Sequence, residues 1–389
     1  MSPNPILGVF LHWLGGLASA SFYVPYRGVR RWSWETYWLV GGLFSWIIAP
    51  WFLGHLMTKD LLAVLSEASI NTLFWAFFFG LLWGVGGLTF GLTMRFLGLS
   101  LGMAVALGLC AAFGTLMPPV FSGLFVNQVL GTSSGRVILL GIFVCLLGIA
   151  SAGLAGICKE RAMSPEQQKA AIQEFDLKKG LAVATLSGVM SACFAYGLAA
   201  GAPIKVLTLK HGTPPLWQGL PVLVVVLVGG FTTNSLWCLA LNIRNRTGYQ
   251  YLTSNPRRYL QVAKETIVET AIDAPSREVV EHIPSAKRNN SLEPVPMLAN
   301  YVFCALAGTT WYFQFFFYTM GEIQMGKYGF SSWTLHMASI IIFSSLWGIG
   351  LKEWKGAGAP AMRLLTLALF LLVGSTMIVG YGNYLGIAR

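Results

Sequence analysis

The chain has 389 residues, of which 55% are hydrophobic and only 11% are charged, and its mean hydropathy is +0.63. A soluble protein carries roughly 25% charged residues, so this composition excludes a soluble fold and favours an all-α protein in a lipid bilayer. The net charge of +11 does not indicate nucleic-acid binding, because the basic residues lie in short blocks between apolar runs.

Ten apolar runs are long enough to form transmembrane helices, since about 20 residues cross the hydrocarbon of a bilayer. The first is not a cleavable signal peptide, because basic residues follow it and none precedes it. The fourth contains Pro118 and Pro119, where we expect a kink or a break. We predict spans near residues 6–26, 36–57, 72–94, 99–126, 135–158, 180–201, 216–241, 297–320, 330–351 and 362–384.

A polar loop at 159–179 divides these ten spans into five and five. Five is an odd number, so the second half crosses the membrane in the opposite direction to the first. This arrangement is typical of inverted repeats, whose substrate site lies near the membrane midplane between the halves. We therefore predict an N-terminal half at 1–158, a cytoplasmic linker at 159–179 and a C-terminal half at 180–389, with a cytoplasmic insertion at 242–296.

The basic residues orient the chain. If the N-terminus is outside, the cytoplasmic loops hold 20 of the 26 Lys and Arg residues. Short cytoplasmic loops of membrane proteins are enriched in Lys and Arg. We therefore expect both termini on the periplasmic side of a bacterial inner membrane.

Seven stretches carry a resemblance to a known family, and they follow one another along nearly the whole chain. They are Trp32–Thr36, Phe79–Gly86, Gly91–Gly102, Gly114–Pro119, Trp311–Tyr318, Ser332–Met337 and Leu351–Trp354. Together they resemble the L-rhamnose–proton symporter family of the drug/metabolite transporter superfamily. The resemblance implies a ten-helix fold of two inverted five-helix halves, and it implies import of L-rhamnose, a deoxy-sugar, with a proton as the coupling ion and no other cofactor.

Proton coupling needs a group that titrates inside the protein. His12 and His336 lie within spans one and nine, each about six residues from the outer end, or roughly 9 Å deep at 1.5 Å per residue. We expect both to face one cavity, although each could instead be a neutral histidine bonded to a neighbouring helix. Glu322, near the outer end of span eight, is the alternative proton carrier.

A sugar site needs hydrogen-bonding groups together with flat aromatic faces, in a pocket that is otherwise apolar. Trp311, Gln314 and Tyr318 supply both and follow the spacing of one helical stripe. Further candidates for substrate binding are Trp83, Tyr23, Asn234, Thr115 and Ser191. For each aromatic residue the alternative is a place in the belt of Trp and Tyr at the membrane interface.

Four charged residues near the cytoplasmic face are candidates for a gate: Glu35, Arg95, Lys352 and Glu353. Glu35 could pair with one of these bases, whereas Arg95 could instead reach the lipid headgroups. The glycine pairs Gly80/Gly84 and Gly87/Gly91 have the G-x-x-x-G spacing of close helix contacts.

Two other functions remain open at this level. One is transport or export of a different small polar metabolite on the same fold. The other is a membrane-embedded enzyme of the acyltransferase type, for which the residues offer no phosphate-binding glycine loop. The six cysteines form no C-x-x-C pair, so no metal site is indicated. The partners expected are a sugar and the bilayer, and the residues do not indicate an oligomeric state.

Overall fold

The computed structural model describes residues 2–162, 176–259 and 294–387. Over these ranges the chain is helical and contains no strand. Its long helices are α1 (Pro5–Ser21), α2 (Trp34–Met57), α3 (Ile70–Leu97), α4 (Leu99–Phe121), α5 (Ser133–Arg161), α6 (Leu177–Ala200), α7 (Leu220–Arg244), α8 (Met297–Gln324), α9 (Ser332–Gly350) and α10 (Gly358–Ile387). Helix α2 passes through a π-helical segment at Phe44–Ile48.

Nine helices of the described residues are long and apolar enough to cross a membrane. A multi-pass membrane protein follows from them, because so many apolar helices need lipid around them. Helix α8 is not among the nine although it has 28 residues. Polar and aromatic side chains lower its hydropathy, and its place as a tenth span stays a prediction.

Helix α4 differs from its predicted span. The prediction placed its end at 126, but the helix stops at Phe121 and a π-helical segment follows at Phe125–Leu130. Helical geometry continues through Pro118 and Pro119 for only two more residues. Neither proline has an amide hydrogen, so each leaves a carbonyl of the preceding turn without its helical donor.

The helices of the two halves pack on each other in a matching pattern. The first helix of one half, α1, packs on α8 and α9, and its counterpart α6 packs on α3 and α4. Likewise α7 packs on α3 as α2 packs on α8, and α5 packs on α10. The contacts of α1 with α8 and α9 and of α2 with α8 therefore each have a counterpart five helices away in the chain, whereas α5 and α10 contact each other.

Glycines allow the closest of these approaches. A Cβ atom on Gly15 of α1 would lie 2.8 Å from the Gln314 carbonyl oxygen of α8, and one on Gly188 of α6 would lie 2.8 Å from the Ala106 oxygen of α4. Gly84 likewise faces Thr233 of α7, whereas Gly87 and Gly91 have nothing within 4 Å. The first predicted glycine pair thus lies at a helix contact, and the second does not.

Both ends of the described chain meet the segment that joins α8 to α9. The Asn4 amide donates to Gln324 Oε1 at 2.9 Å, and Asn383 Nδ2 donates to Ser331 Oγ at 2.9 Å. We call this the terminal end of the bundle. The opposite end carries the connections α1–α2, α7–α8 and α9–α10, and most of the predicted insertion at 242–296 lies outside the described residues.

Candidate functional site

The two predicted histidines lie on either side of one tyrosine. The Tyr318 ring of α8 has its centre 5.3 Å from that of His12 and 5.4 Å from that of His336. Both imidazoles are fully buried. Ser339 Oγ lies 2.9 Å from the His12 carbonyl oxygen and 2.8 Å from that of His336, which ties α1 to α9 at this level.

The two imidazoles make no side-chain hydrogen bond to the described residues. Both ring nitrogens of His12 and both of His336 lack a hydrogen-bond partner within the described residues, and so does Gln314 Nε2. A buried polar atom is nearly always bonded to something, so five such atoms on three neighbouring helices are unusual. The alternative of neutral histidines bonded to neighbouring helices does not hold for these side chains.

Aromatic rings fill the centre of the bundle below the histidines. Trp83 of α3 stacks on Trp311 of α8, with ring centres 5.7 Å apart, and Trp46 of α2 meets Trp311 edge to face at 5.3 Å. Phe194 of α6 stacks on Phe315 at 4.1 Å. The cavity beside Trp46 and Trp311 has a volume of only about 10 Å³, so a sugar enters here only if these rings separate.

Gln314 lies between the aromatic rings and the histidines along α8. It is one turn from Trp311 and one turn from Tyr318, and only 4% of its surface is exposed. Its carbonyl oxygen is close to Gly15 of α1. Trp311, Gln314 and Tyr318 therefore connect the aromatic centre with the two imidazoles, along the stripe that the sequence predicts.

Glu322 lies near the C-terminal end of α8 and takes part in an ion pair. Its carboxylate accepts a hydrogen bond from Lys205 Nζ at 2.7 Å, and both side chains are largely buried, with 22% and 17% exposed. Lys205 lies on a short helix, Ala202–Lys210, that follows α6. Glu322 is one turn from Tyr318 on α8, so this pair lies between His12 and His336 and the terminal end of the bundle.

A polar network at the opposite end joins α2 to the end of α7. The buried Glu35 carboxylate accepts hydrogen bonds from Asn245 Nδ2 at 3.0 Å and Thr247 Oγ1 at 2.9 Å. Asn242 Nδ2 donates to Tyr251 Oη at 2.9 Å. Burial raises the pKa of Tyr251 to about 12, so this phenol stays protonated.

Among the described residues Glu35 bonds to the neutral side chains of Asn245 and Thr247 and not to Lys352, so the predicted pairing of Glu35 with a neighbouring base is wrong for Lys352. Lys352 is exposed on the α9–α10 connection and has a left-handed backbone, with φ of 60°. Glu353 instead pairs with Arg27 at 3.2 Å, and both side chains are exposed. The side chain of Arg95 lies outside the described residues, so its gating role stays a prediction.

Of the other predicted substrate residues, Tyr23 and Asn234 contact Trp38, which lines the cavity beside Trp46 and Trp311, and the remaining two lie at helix contacts. Tyr23 is 55% exposed beyond the end of α1, and Asn234 Oδ1 accepts from Trp38 Nε1 at 3.4 Å. Ser191 packs against Gly86, which makes it part of the α3–α6 contact. Thr115 Oγ1 lies 2.8 Å from Thr334 Oγ1 and closes the gap between α4 and α9.

Several residues of the site were not predicted. Three aromatic residues contact Trp83 or Trp311: Trp46, Phe194 and Phe315. Trp333 contacts His336, and Lys205 pairs with Glu322. Phe194, Phe315 and Trp333 lie beside residues that the sequence did single out, so a wider selection around those residues would have found them. Nothing in the local sequence marks Trp46 or Lys205, because only helix packing brings them here.

One protein family and a set of similar proteins match this chain over nearly its whole length. The family described as L-rhamnose-proton symport protein (RhaT) matches residues 1–250 and 279–385. Similar proteins include the L-rhamnose-proton symporters of Salmonella gallinarum (strain 287/91 / NCTC 13346), Salmonella paratyphi B and Salmonella newport. Each is 35% identical over 383 residues, which is 98% of this chain and 99% of the relative.

Proposed function

The chain belongs to the L-rhamnose-proton symport protein family, and we propose that it imports L-rhamnose together with a proton across the bacterial inner membrane. It is a membrane transporter and not an enzyme. The observation that carries the proposal beyond the family is the cluster of His12, His336 and Gln314. Its four ring nitrogens and the Gln314 Nε2 atom are buried without partners among the described residues, beside stacked tryptophans. Such a cluster offers a place for a proton and a place for a sugar.

The architecture that suits this function has ten spans in two inverted halves, with both termini in the periplasm. The matching contacts of α1 and α6 support two related halves. The contacts that Asn4 and Asn383 make with the α8–α9 connection support a common side for the termini. The basic loops of the sequence support the periplasm as that side. The substrate site then lies near the midplane, where the halves meet.

The sugar binds between Trp83 and Trp311, with Gln314 bonded to its hydroxyl groups. Indole rings cover the C–H faces of the sugar, and an amide can both donate to and accept from hydroxyls. Trp83 and Trp311 come from different halves and stack on each other. Sugar binding must therefore part the two halves at this point, which couples occupancy to a movement of one half against the other.

The proton is carried by the imidazoles of His12 and His336. A buried imidazolium is costly unless hydrogen bonds compensate its charge. A sugar hydroxyl that accepts from the imidazolium N–H supplies such a bond, so the proton and the sugar stabilise each other in the site. Because this coupling is reciprocal, the doubly loaded site is favoured over a site with either ligand alone, as symport requires.

The ion pair of Lys205 and Glu322 lies on the path from the periplasm to this cluster. Glu322 is one helical turn from Tyr318, and the Tyr318 ring touches both imidazoles. When the ion pair opens, the carboxylate becomes the first proton acceptor on the outer side. Glu322 thus acts as a proton relay and outer gate, while the histidines hold the proton during the crossing.

Uptake of labelled L-rhamnose by proteoliposomes tests the proposal. We expect uptake that unlabelled L-rhamnose competes away, and weaker competition by sugars that lack one hydroxyl group or the 6-deoxy methyl group. An exporter or a carrier of another metabolite on the same fold would show no saturable rhamnose uptake. That result, with protein shown to be folded, would reject the proposed substrate.

A further inference from the structure

A cleft with a volume of about 240 Å³ lies between α4, α5 and α9, toward the opposite end of the bundle. Its deep walls are apolar and include Leu107 of α4, Ile149 of α5 and Ile340 of α9. Ser344 and Ser345 of α9 also line it; Ser344 is exposed and Ser345 is half-buried. Pockets for drug-sized ligands have roughly 300–1,000 Å³, so this cleft suits one smaller solute.

The mouth of the cleft combines an aromatic ring with opposite charges. Lys159 Nζ of α5 lies 4.9 Å from the centre of the Trp354 ring. Glu353 lines the same mouth and pairs with Arg27. The Trp354 side chain packs against the end of α9, where a Cβ atom on Gly348 would lie only 2.9 Å from Trp354 Nε1. Hydroxyl, indole, ammonium and carboxylate groups together can bind a polar solute, whereas a lipid chain needs apolar walls alone.

The cleft continues the line of the buried site along α9. His336, Ile340 and Ser344 follow one another at four-residue spacing and share one face of that helix. Ile340 lies between Ser344 and His336 along this face, and Ile340, Ile341 and Leu107 all line the cleft.

The contact between α4 and α9 is closed on its outer side and open on its inner side. Toward the terminal end, Thr115 meets Thr334 at 2.8 Å, and Trp333 Nε1 donates to the Cys110 carbonyl oxygen at 3.0 Å. The cleft opens between the same two helices toward the other end. A passage that is sealed on one side and accessible from the other is what alternating access requires.

We propose that this cleft is the cytoplasmic vestibule, in which the transported monosaccharide rests on Trp354 after it passes Leu107 and Ile340. The inference rests on the proposed function, because it takes the sugar and the orientation from it. Ser344 and Ser345 bond the sugar hydroxyls, and Lys159 and Glu353 hold the sugar at the mouth. The vestibule is a second sugar site, distinct from the one at Trp83 and Trp311.

Thiol labelling tests the vestibule. Five of the six cysteines are buried, so replacing the half-buried Cys158 by Ser leaves little background. In that parent, Ser345→Cys places a thiol on the cleft wall, and Leu346→Cys places one on a neighbouring surface that is 47% exposed. Inverted membrane vesicles are treated with a membrane-impermeant maleimide, with and without L-rhamnose.

We expect Ser345→Cys to be labelled from the cytoplasmic side and L-rhamnose to slow this labelling several-fold. Leu346→Cys should show no effect of the sugar. Adding Trp354→Ala should remove the protection, and Trp354→Phe should keep it. Labelling that rhamnose does not change, in a protein that transports rhamnose, would overturn the inference. So would absence of labelling, which would show a cleft filled by lipid.

Rhamnose uptake by the Cys158→Ser parent separates the two proposals. If the parent takes up no rhamnose, the proposed substrate is wrong, whatever the labelling shows. Protection of Ser345→Cys by another monosaccharide would then still support a sugar vestibule, and no protection by any monosaccharide would reject it.

Discussion

Tyr318 brings together two imidazoles that are 324 positions apart in the chain, and it does so inside a membrane-spanning bundle. Ionisable side chains in such a place are costly and mark function more often than packing. The ring nitrogens of His12 and His336 have no partner within the described residues, so nothing in the surrounding protein explains why they are histidines. We propose that both histidines bind the coupling proton.

His12→Gln and His336→Gln should each separate sugar movement from proton movement. Glutamine keeps a hydrogen-bonding group but cannot carry the proton. We expect accumulation of rhamnose against its gradient to be lost, while exchange of labelled for unlabelled rhamnose at equal pH continues. His55→Gln, an exposed histidine near the end of α2, is the control and should accumulate rhamnose normally. If both site variants accumulate rhamnose as the wild type does, the proton is carried elsewhere, and Glu322 is the next candidate.

Gln314→Leu should weaken sugar binding without unfolding the protein. The leucine is similar in size but leaves a sugar hydroxyl unbonded in a buried site, at a cost of about 1–3 kcal/mol. We expect the KM for rhamnose to rise roughly tenfold, since about 1.4 kcal/mol corresponds to a factor of ten. Uptake kinetics measure this, with Gln218→Leu at the terminal end as the control. An unchanged KM would remove Gln314 from the sugar site.

The candidate residues show how far the sequence reaches. The three- and four-residue spacing of Trp311, Gln314 and Tyr318 puts these residues on one stripe of a helix. His12 and His336 are equally far from the ends of their predicted spans, which puts them at the same depth. Both predictions follow from helix geometry alone. The partners of Glu35 do not, because Asn245 and Thr247 are 210 and 212 positions away. The same holds for the pair of Lys205 and Glu322, which depends on how two helices meet.

Glycines mark the closest contacts between the helices. On α3, Gly84→Ala should destabilise the protein by about 1–3 kcal/mol, because the new Cβ would lie 2.8 Å from Thr233 Cβ. Gly87→Ala, one turn further along the same helix, meets nothing and should stabilise it by about 0.4–1 kcal/mol. Thermal unfolding in detergent measures both. Equal effects would show that α3 does not pack on α7 in this way.

The network at the opposite end should depend on Glu35 more than on Glu353. Glu35 is buried and accepts two hydrogen bonds, so Glu35→Gln should cost about 1–3 kcal/mol of stability. Glu353 pairs with Arg27 in solvent, and Glu353→Gln should cost about 0–1 kcal/mol. Unfolding temperatures of the two variants test this ranking. A larger loss for Glu353→Gln would contradict it.

The ends of the helices show how far hydropathy alone predicts the fold. Hydropathy predicts the ends of most apolar helices to within a few residues, because long apolar runs are stable only in lipid. It fails at the end of α4, where two prolines end the helix early. It is weakest for α8, whose polar and aromatic residues, the predicted site residues Trp311, Gln314 and Tyr318 among them, lower its hydropathy.

At the scale of the whole molecule, the chain ends and the α8–α9 connection meet at one end of the bundle. Short tags on the two termini should therefore both be reached by a membrane-impermeant reagent from the periplasmic side, in intact spheroplasts. A tag in the insertion at 242–296 should be reached only after lysis. Termini on opposite sides would contradict the five-plus-five arrangement and the midplane site with it.

If sugar and proton cross the membrane together, rhamnose uptake must move protons in the same direction. Proteoliposomes without a starting gradient receive L-rhamnose, and the pH of a weakly buffered external medium is recorded. We expect the external medium to become more alkaline when rhamnose is added. A protonophore should abolish this change, and the His12→Gln/His336→Gln double variant should not show it. Rhamnose uptake by the wild-type protein with no change of external pH would contradict it.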